Sequence, residues 1–282
     1  MLVLGIESSC DDTSAAVLEN GSSVLSNVIS DQNTTHSKYG GVVPELAGRC
    51  HIESIHHVIN NAINQSKIGL KQIDLIAVTV GPGLVSSLLV GLNTAKALAY
   101  ALQKPLVGVN HLEGHLLAIF LEETVEFPFI ALTVSGGHTD IYRVDGFGEY
   151  KILGRTRDDA AGESFDKVAK MLKLGYPGGP LIEEKAKLGN ALAHRFPRAF
   201  LEKGSLDFSF SGLKTSVRNI ISKRETGEIP ILSDSDISAG FQKAVIDVLT
   251  DKVFLACEKE KVNRIVVTGG VAANNELRKR IT

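Results

Sequence analysis

Two histidines stand four residues apart in the segment VNHLEGHLLA, residues 109–118, directly after a run of strand-forming residues. Positions i and i+4 share one face of a helix, so the imidazoles of His111 and His115 can converge on one metal ion. Two histidines at this spacing can equally cap or line the start of an ordinary helix. The pair by itself leaves both interpretations open, and its context has to decide between them.

The sequence around the pair argues against a metallopeptidase. Zinc peptidases carry the pattern H-E-x-x-H, in which the glutamate after the first histidine acts as general base on the metal-bound water. Leu112 occupies that position here. The nearby acid, Glu113, lies about 200° around a helix from His111 and points away from the expected ion.

Four turns rich in serine or glycine could contact a phosphate. They are residues 8–12 (SSCDD), 134–138 (VSGGH), 176–180 (YPGGP) and 268–275 (TGGVAANN). Glycines lack bulk, so backbone N–H groups can approach an anion closely, and helix N-termini favour phosphate. One such turn is more often an ordinary tight turn. Four of them, each after a strand or before a helix, indicate an adenine nucleotide or a related phosphate ester.

The elements that carry these turns predict a duplicated α/β protein. Strands alternate with helices, which is typical of a largely parallel sheet covered by helices. Residues 1–21 read as strand, turn and strand, and residues 129–148 repeat this pattern; placing Thr13 on Thr139 also places Ser9 on Ser135 without a gap. We therefore predict two lobes, residues 1–126 and 127–282, with the ligand where they face each other.

Composition narrows the class of protein. The 30 basic and 32 acidic side chains nearly balance, and the three cysteines form no C-x-x-C pair, as expected in a reducing compartment. Glu7 interrupts the first apolar run, which argues against a secretory signal. The apolar segment 81–102 contains Asn93, Thr94 and Lys96, so we predict a buried helix there rather than a membrane span. We expect a cytoplasmic protein without a membrane partner.

Nine motifs in order along the whole chain resemble the universal tRNA threonylcarbamoyltransferase family, TsaD. They are GIESSCDDT, GVVPELAGRCH, GPGL, NHLEGHLLA, VSGGHT, DDAAGESFDK, YPGGP, FSFSGLKT and VTGGVAANNELR. The resemblance implies a duplicated actin/Hsp70-like, ribonuclease H-like fold with a nucleotide cleft between two lobes. It also implies transfer of a threonylcarbamoyl group from threonylcarbamoyl-AMP to N6 of the adenosine beside the anticodon, in tRNAs that read codons starting with A. A non-catalytic actin-like nucleotide-binding subunit is the alternative.

The resemblance also implies roles for particular residues. His111 and His115 would bind a divalent metal, iron first and zinc as the alternative, while tRNA and proteins similar to TsaB and TsaE would be the partners. The adenylate would be held by residues from four motifs: Val134, Ser135, Gly136, Gly137, His138, Asp166, Gly179, Glu183 and Asn274. No covalent intermediate is expected on Cys10, which has no cationic neighbour in sequence to lower its pKa.

The family's third metal ligand is an aspartate from beyond a helix that begins like the last one here. The sequence stops at Thr282, with that helix about two turns long. We therefore expect a chain truncated at its C-terminal end, with the third ligand absent from it and with impaired transfer activity.

Overall fold

The chain folds as two units, Met1–Val125 and Glu126–Thr282, and each has its own hydrophobic core. The division falls one residue before the boundary that the sequence suggested. The computed structural model describes residues 1–199, 202, 204–228 and 232–282.

The first unit is a five-stranded sheet with helices packed on it. The strand order is β3-β2-β1-β4-β5, in which β1 pairs in parallel with β4, and β4 with β5. The carboxyl ends of these three strands therefore lie side by side at one edge of the sheet. The elements are β1 (Leu2–Glu7), β2 (Asp12–Glu19), β3 (Ser23–Asp31), α1 (Asn33–Ser37), α2 (Pro44–Ser66), β4 (Leu75–Gly81), α3 (Val85–Leu102), β5 (Leu106–Asn110) and α4 (His111–Leu117).

Helix α3 is less buried than its apolar sequence suggested. By length and composition alone it could cross a membrane. In the structure it buries only a stripe of small residues, Ser87, Gly91, Ala95 and Ala99, and packs on α2 and β4. Its opposite face is open to solvent, with Tyr100 at 81% exposure. The prediction of a buried helix was therefore wrong for much of its surface. Small residues form the fully buried stripe, with four larger apolar residues partly buried against the core, whereas Val85, Leu89 and Tyr100 are exposed.

The second unit repeats the plan with a four-stranded sheet. Its order is β8-β7-β6-β9, with β6 and β9 parallel, and all six residues of β6 are buried. The long helix α8 contributes much of the core beside that strand. The elements are β6 (Phe129–Val134), β7 (Thr139–Gly146), β8 (Glu149–Arg155), α5 (Ala161–Met171), α6 (Gly178–Ala186), α7 (Ser211–Glu225), α8 (Asp234–Glu260), β9 (Ile265–Thr268) and α9 (Asn275–Ile281).

Strand register supports the predicted duplication. In the first hairpin Val3 faces Leu18, and in the second Phe129 faces Val144. The same offset that places Thr13 on Thr139 converts the five pairs from Val3–Leu18 to Glu7–Ser14 into pairs of the second hairpin. In both units a parallel strand then pairs with the first strand of the hairpin, β4 with β1 and β9 with β6. The second sheet thus repeats the order and directions of four strands of the first, which β5 extends by a fifth strand.

Candidate functional site

Helix α4 begins at the first histidine of the pair because the preceding asparagine caps it. The Oδ1 atom of Asn110 accepts hydrogen bonds from the backbone N–H of Leu112 at 2.9 Å and of Glu113 at 3.3 Å. This satisfies two of the donors that a helix leaves open at its first turn. The cap therefore fixes the direction in which His111 and His115 leave the backbone.

The two imidazoles lie close enough to share one ion. The ring centroids of His111 and His115 are 4.7 Å apart, and the ring planes meet at 82°. A metal–nitrogen bond of about 2.0–2.1 Å puts a ring centroid roughly 3 Å from the ion, so two rings at a near-tetrahedral angle lie about 5 Å apart. The donor set also suits iron or zinc, since both metals accept neutral imidazole.

Glu7 joins the histidine pair, a contact that no sequence pattern predicted. It ends β1, Thr79 lies near the end of the adjacent strand β4, and His111 follows β5. The Glu7 Oε2 atom lies 3.1 Å from Nδ1 of His111 and accepts the Thr79 hydroxyl hydrogen bond at 2.6 Å. Its Oε1 atom accepts the backbone N–H of Ser9.

These bonds keep the Glu7 carboxylate ionised. Burial acts to raise its pKa, but the hydrogen bonds from His111, Thr79 and Ser9 outweigh burial and lower the pKa to about 2. A full negative charge therefore stands beside the histidine pair at neutral pH and favours a cation there.

The pair is not a complete metal site within the described part of the chain. Among those residues, no group of three or more His, Cys, Asp and Glu side chains is arranged to hold a metal ion. The remaining positions on an ion held by His111 and His115 would fall to water, substrate or other donors.

The first serine-rich turn, residues 8–12, is held from within the first unit. The Ser8 hydroxyl donates to the Ser87 carbonyl at 2.9 Å, and the Ser9 carbonyl accepts from Leu84 N–H at 2.8 Å. His51, fully buried on α2, contacts the Cys10 carbonyl through Nε2 at 3.0 Å. The serine and backbone groups of this turn are thus largely used to fix its shape.

Cys10 is unsuited to act as a nucleophile. Desolvation, followed by the negative charges of Asp11 and Asp12, raises the pKa of its thiol to about 12. The reactive thiolate is therefore scarce at neutral pH. This supports the expectation that the reaction forms no covalent bond to Cys10.

The same carboxylates make the first turn pH-sensitive, and Asp12→Asn is expected to stabilise the protein above pH 6. Desolvation, with the charges of Asp11, Asp31 and Glu7, raises the pKa of Asp12 to about 6. Because the unfolded carboxyl ionises near its ordinary value of about 3.9, the folded state loses stability as pH rises between the two values. Thermal unfolding should show a higher Tm for Asp12→Asn than for the parent protein at about pH 7.5, and equal Tm values for the two proteins at about pH 3.5. Equal Tm values for the two proteins at both pH values would contradict this prediction.

In the second unit, the predicted loop of residues 134–138 is a tight turn between β6 and β7. Ser135 N–H donates to the His138 carbonyl at 2.8 Å, and the Ser135 hydroxyl oxygen accepts from His138 N–H at 3.0 Å and from Gly137 N–H at 3.3 Å. The serine hydroxyl therefore organises the turn from inside. A Cβ atom on Gly136 or Gly137 would meet nothing within 4 Å, so the outer side of the turn has room for a ligand.

The predicted residues of α5 and α6 lie together. The Asp166 Oδ1 atom accepts the backbone N–H of Gly178, at the start of α6, at 2.7 Å. A Cβ on Gly178 would lie 2.6 Å from the Asp166 Cα, so only glycine allows this approach, whereas Gly179 faces open space. Glu183, one turn further on, accepts hydrogen bonds from the backbone and side-chain nitrogens of Asn275 at 3.0 and 2.8 Å.

Asn274 is buried, and it uses both ends of its side-chain amide within the protein. Its Oδ1 atom accepts from the backbone N–H of Glu276 and of Leu277, each at 3.1 Å, and so caps α9. Its Nδ2 atom donates to Gln242 at 2.9 Å. Asn274 thus holds the start of α9, while the exposed Asn275 beside it bonds Glu183 of α6.

These segments meet at the carboxyl end of the second sheet. The loop after β6 and the turn after β9 are neighbours, since a Cβ on Gly269 would lie 2.4 Å from the Val134 carbonyl oxygen. Gly162 at the start of α5 donates its N–H to the Ser135 carbonyl at 3.1 Å. The structure therefore brings the predicted loop of residues 134–138 against α5 and β9, and it links α5, α6 and α9 in turn.

Comparison with known proteins identifies what the chain is similar to. A family model described as "TsaD: tRNA N6-adenosine threonylcarbamoyltransferase" matches residues 23–282. A tRNA N6-adenosine threonylcarbamoyltransferase of Thermodesulfovibrio yellowstonii is 59% identical over 283 residues, which cover 99% of this chain and 84% of that protein. One from Clostridioides difficile is 54% identical and covers 100% of this chain and 83% of its own length.

Solved structures resemble the chain in fold. HypF of T. kodakarensis superimposes with a TM-score of 0.64 at 15% identity, over 99% of this chain and 43% of that one. Component A of the Acidaminococcus fermentans (R)-2-hydroxyglutaryl-CoA dehydratase gives a TM-score of 0.58 at 16% identity, over 100% of this chain and 86% of that one. Together with the four-strand order repeated in both sheets, these likenesses confirm the predicted actin/Hsp70-like α/β fold.

Proposed function

This chain belongs to the TsaD family of tRNA N6-adenosine threonylcarbamoyltransferases, and we propose that its two units divide the work, the first holding the metal and the second the adenylate. The chain is an acyltransferase that modifies N6 of an adenosine in tRNA, as its relatives are named. We propose threonylcarbamoyl-AMP as the donor. The acceptor is the adenosine beside the anticodon in tRNAs that read codons starting with A.

The chemistry sets what the residues must do. The exocyclic amine of adenine is a weak nucleophile, so the carbamoyl carbon has to be activated by a good leaving group, which the adenylate phosphate provides. Positioning the two reactants and stabilising the charge that develops on the phosphate and carbamoyl oxygens supply most of the rate increase in such a transfer. The described residues of this chain offer groups for both tasks.

The adenylate is assigned to the carboxyl edge of the second sheet. The open outer side of Gly136 and Gly137 supports contact between the turn of residues 134–138 and the phosphate, because no Cβ keeps an anion from the backbone there. Asp166, Gly179 and Glu183 would contact the nucleoside from α5 and α6. Asn274 would act mainly by holding the start of α9.

The metal is assigned to His111 and His115. The observation that carries this assignment is the 4.7 Å separation of their rings on one capped helix, with the ionised Glu7 bonded to the first ring. The family uses a divalent metal, and we assign iron, with zinc as the alternative. When bound, the ion would supply a Lewis acid for an anionic oxygen of the substrate.

The enzyme is proposed to act in the cytoplasm, on tRNA, with protein partners similar to TsaB and TsaE. Exposed apolar side chains on α3 support a protein partner for the first unit, since Val85 is 74% and Leu89 is 50% exposed. Patches of this kind on a soluble protein commonly mark an interface.

Nucleoside mass spectrometry tests the function. An unmodified tRNA transcript with an adenosine beside its anticodon is incubated with this protein, the partner proteins and threonylcarbamoyl-AMP, then digested to nucleosides. We expect threonylcarbamoyladenosine only when this chain is present. A control transcript with guanosine at that position should stay unmodified. No product with the complete mixture, or equal product without this chain, would contradict the proposal.

A further inference from the structure

Glu7 is held in one orientation by donors on both of its oxygens. Oε2 faces the Thr79 hydroxyl at 2.6 Å and Nδ1 of His111 at 3.1 Å, and Oε1 faces the backbone N–H of Ser9. The Glu7 side chain is 32% exposed and that of His111 is 21% exposed, so solvent competes only partly for these bonds. Three elements fix the arrangement, since Glu7 comes from β1, Thr79 from β4 and His111 from the start of α4.

This arrangement selects one form of the imidazole. An ionised carboxylate only accepts hydrogen bonds, so the nitrogen that faces it must carry the proton. The Ser9 hydroxyl oxygen, 3.2 Å from the same Nδ1 atom, can accept from it as well. With the proton on Nδ1, the lone pair of His111 lies on Nε2, the other ring nitrogen.

We propose that Glu7 is a positioning residue, which holds His111 in the tautomer that leaves Nε2 able to bind the metal. The inference rests on the proposed metal site at His111 and His115. Carboxylates bonded to the outer nitrogen of a metal-binding histidine fix its ring and raise its basicity, and their loss typically lowers metal affinity 10–100-fold. Glu7 is placed to do the same from β1, more than a hundred residues before the pair.

Glu7→Gln is the sharpest variant. Glutamine keeps the shape but offers one acceptor oxygen and one NH₂ donor, whereas Glu7 faces three donors. If the amide turns its oxygen to Thr79 and His111, its NH₂ group meets the Ser9 N–H. If it turns the other way, its NH₂ group faces Nδ1 of His111 as a donor. This favours the tautomer with the proton on Nε2, the atom that should bind the metal. Either outcome should weaken Zn²⁺ binding about 10–100-fold.

Two measurements on the full chain test the proposal. Nitrogen and carbon NMR of the histidine rings, at about pH 8 where an ordinary imidazole is neutral, reports the His111 tautomer without metal. The signal is assigned by its absence in His111→Ala. Calorimetric titration with Zn²⁺ then reports affinity. The matched control is Glu113→Gln, which removes the same charge from α4 itself. It should change neither reading, because Glu113 leaves the helix about 200° around its axis from both His111 and His115.

The outcomes separate the two proposals. An Nδ1–H tautomer in the parent, with Zn²⁺ binding weakened about 10–100-fold in Glu7→Gln, supports the role of Glu7. An Nε2–H tautomer in the parent, or a Glu7→Gln affinity within about twofold of the parent's, would overturn it. If the parent binds no Zn²⁺ through the histidines, the metal assignment fails, and the tautomer still decides what Glu7 does. Should Glu7→Gln not fold, Glu7→Asp keeps the charge but withdraws it from Nδ1, and the same weakening of Zn²⁺ binding is expected.

Discussion

Replacing His111 with alanine is expected to remove nearly all bound iron or zinc and to lower threonylcarbamoyl transfer more than about 100-fold, beyond the 10–100-fold typical of losing an outer contact. A single imidazole, His115, would remain, and one neutral donor holds a divalent ion weakly. Elemental analysis of purified protein gives the metal content. Mass spectrometry of nucleosides from treated tRNA gives the transfer yield.

The control for this variant is His57→Ala. His57 is an exposed histidine on α2 of the same unit, so the control removes the same side chain from a different helix. Its metal content and yield should equal those of the parent protein. An unchanged metal content in His111→Ala would show that the ion is bound elsewhere, and the assignment of the pair would then be wrong.

The histidine pair was predictable because its signal is local. An i, i+4 spacing needs only a helix, and the capping Asn110 directly before the pair marks where that helix starts. Glu7 was not predictable in the same way. Its contact with His111 exists because β1, β4 and β5 are adjacent and parallel, and strand order is a property of the whole sheet. In sequence, the only trace of Glu7 is a charge that ends an otherwise apolar strand.

The nucleotide loops show the same limit. Their glycines signalled turns correctly, and the duplicated hairpin could be aligned from sequence to the register seen in the structure. The sequence did not show that the Ser135 hydroxyl accepts hydrogen bonds within its own turn, or that the Asn274 side chain caps α9. Both residue types bind ligands and backbone equally well, and only the fold decides which partner they take.

In the turn after β6, Gly137→Val is expected to lower the affinity for AMP at least about tenfold. This corresponds to a loss of roughly 1.4 kcal/mol in binding free energy. The fold should survive, because a Cβ on Gly137 meets nothing within 4 Å and its φ lies outside the left-handed region. The two methyl groups of valine would instead fill the open outer side of the turn, where a phosphate has to approach the backbone. Titration calorimetry with AMP gives the affinities, and thermal unfolding shows that both proteins are folded.

A valine at the far end of the same strand separates steric exclusion of the ligand from general damage to the sheet. Strand β7 starts at Thr139, beside the turn, and ends at Gly146. A Cβ on Gly146 makes only ordinary contact with Glu149, at 3.4 Å or more. Gly146→Val should therefore bind AMP as the parent does, even if it loses some stability. If Gly137→Val binds AMP with the parent's affinity, the phosphate does not approach this turn. If both variants lose affinity equally, the loss reflects the sheet, and the turn has no special role in holding the adenylate.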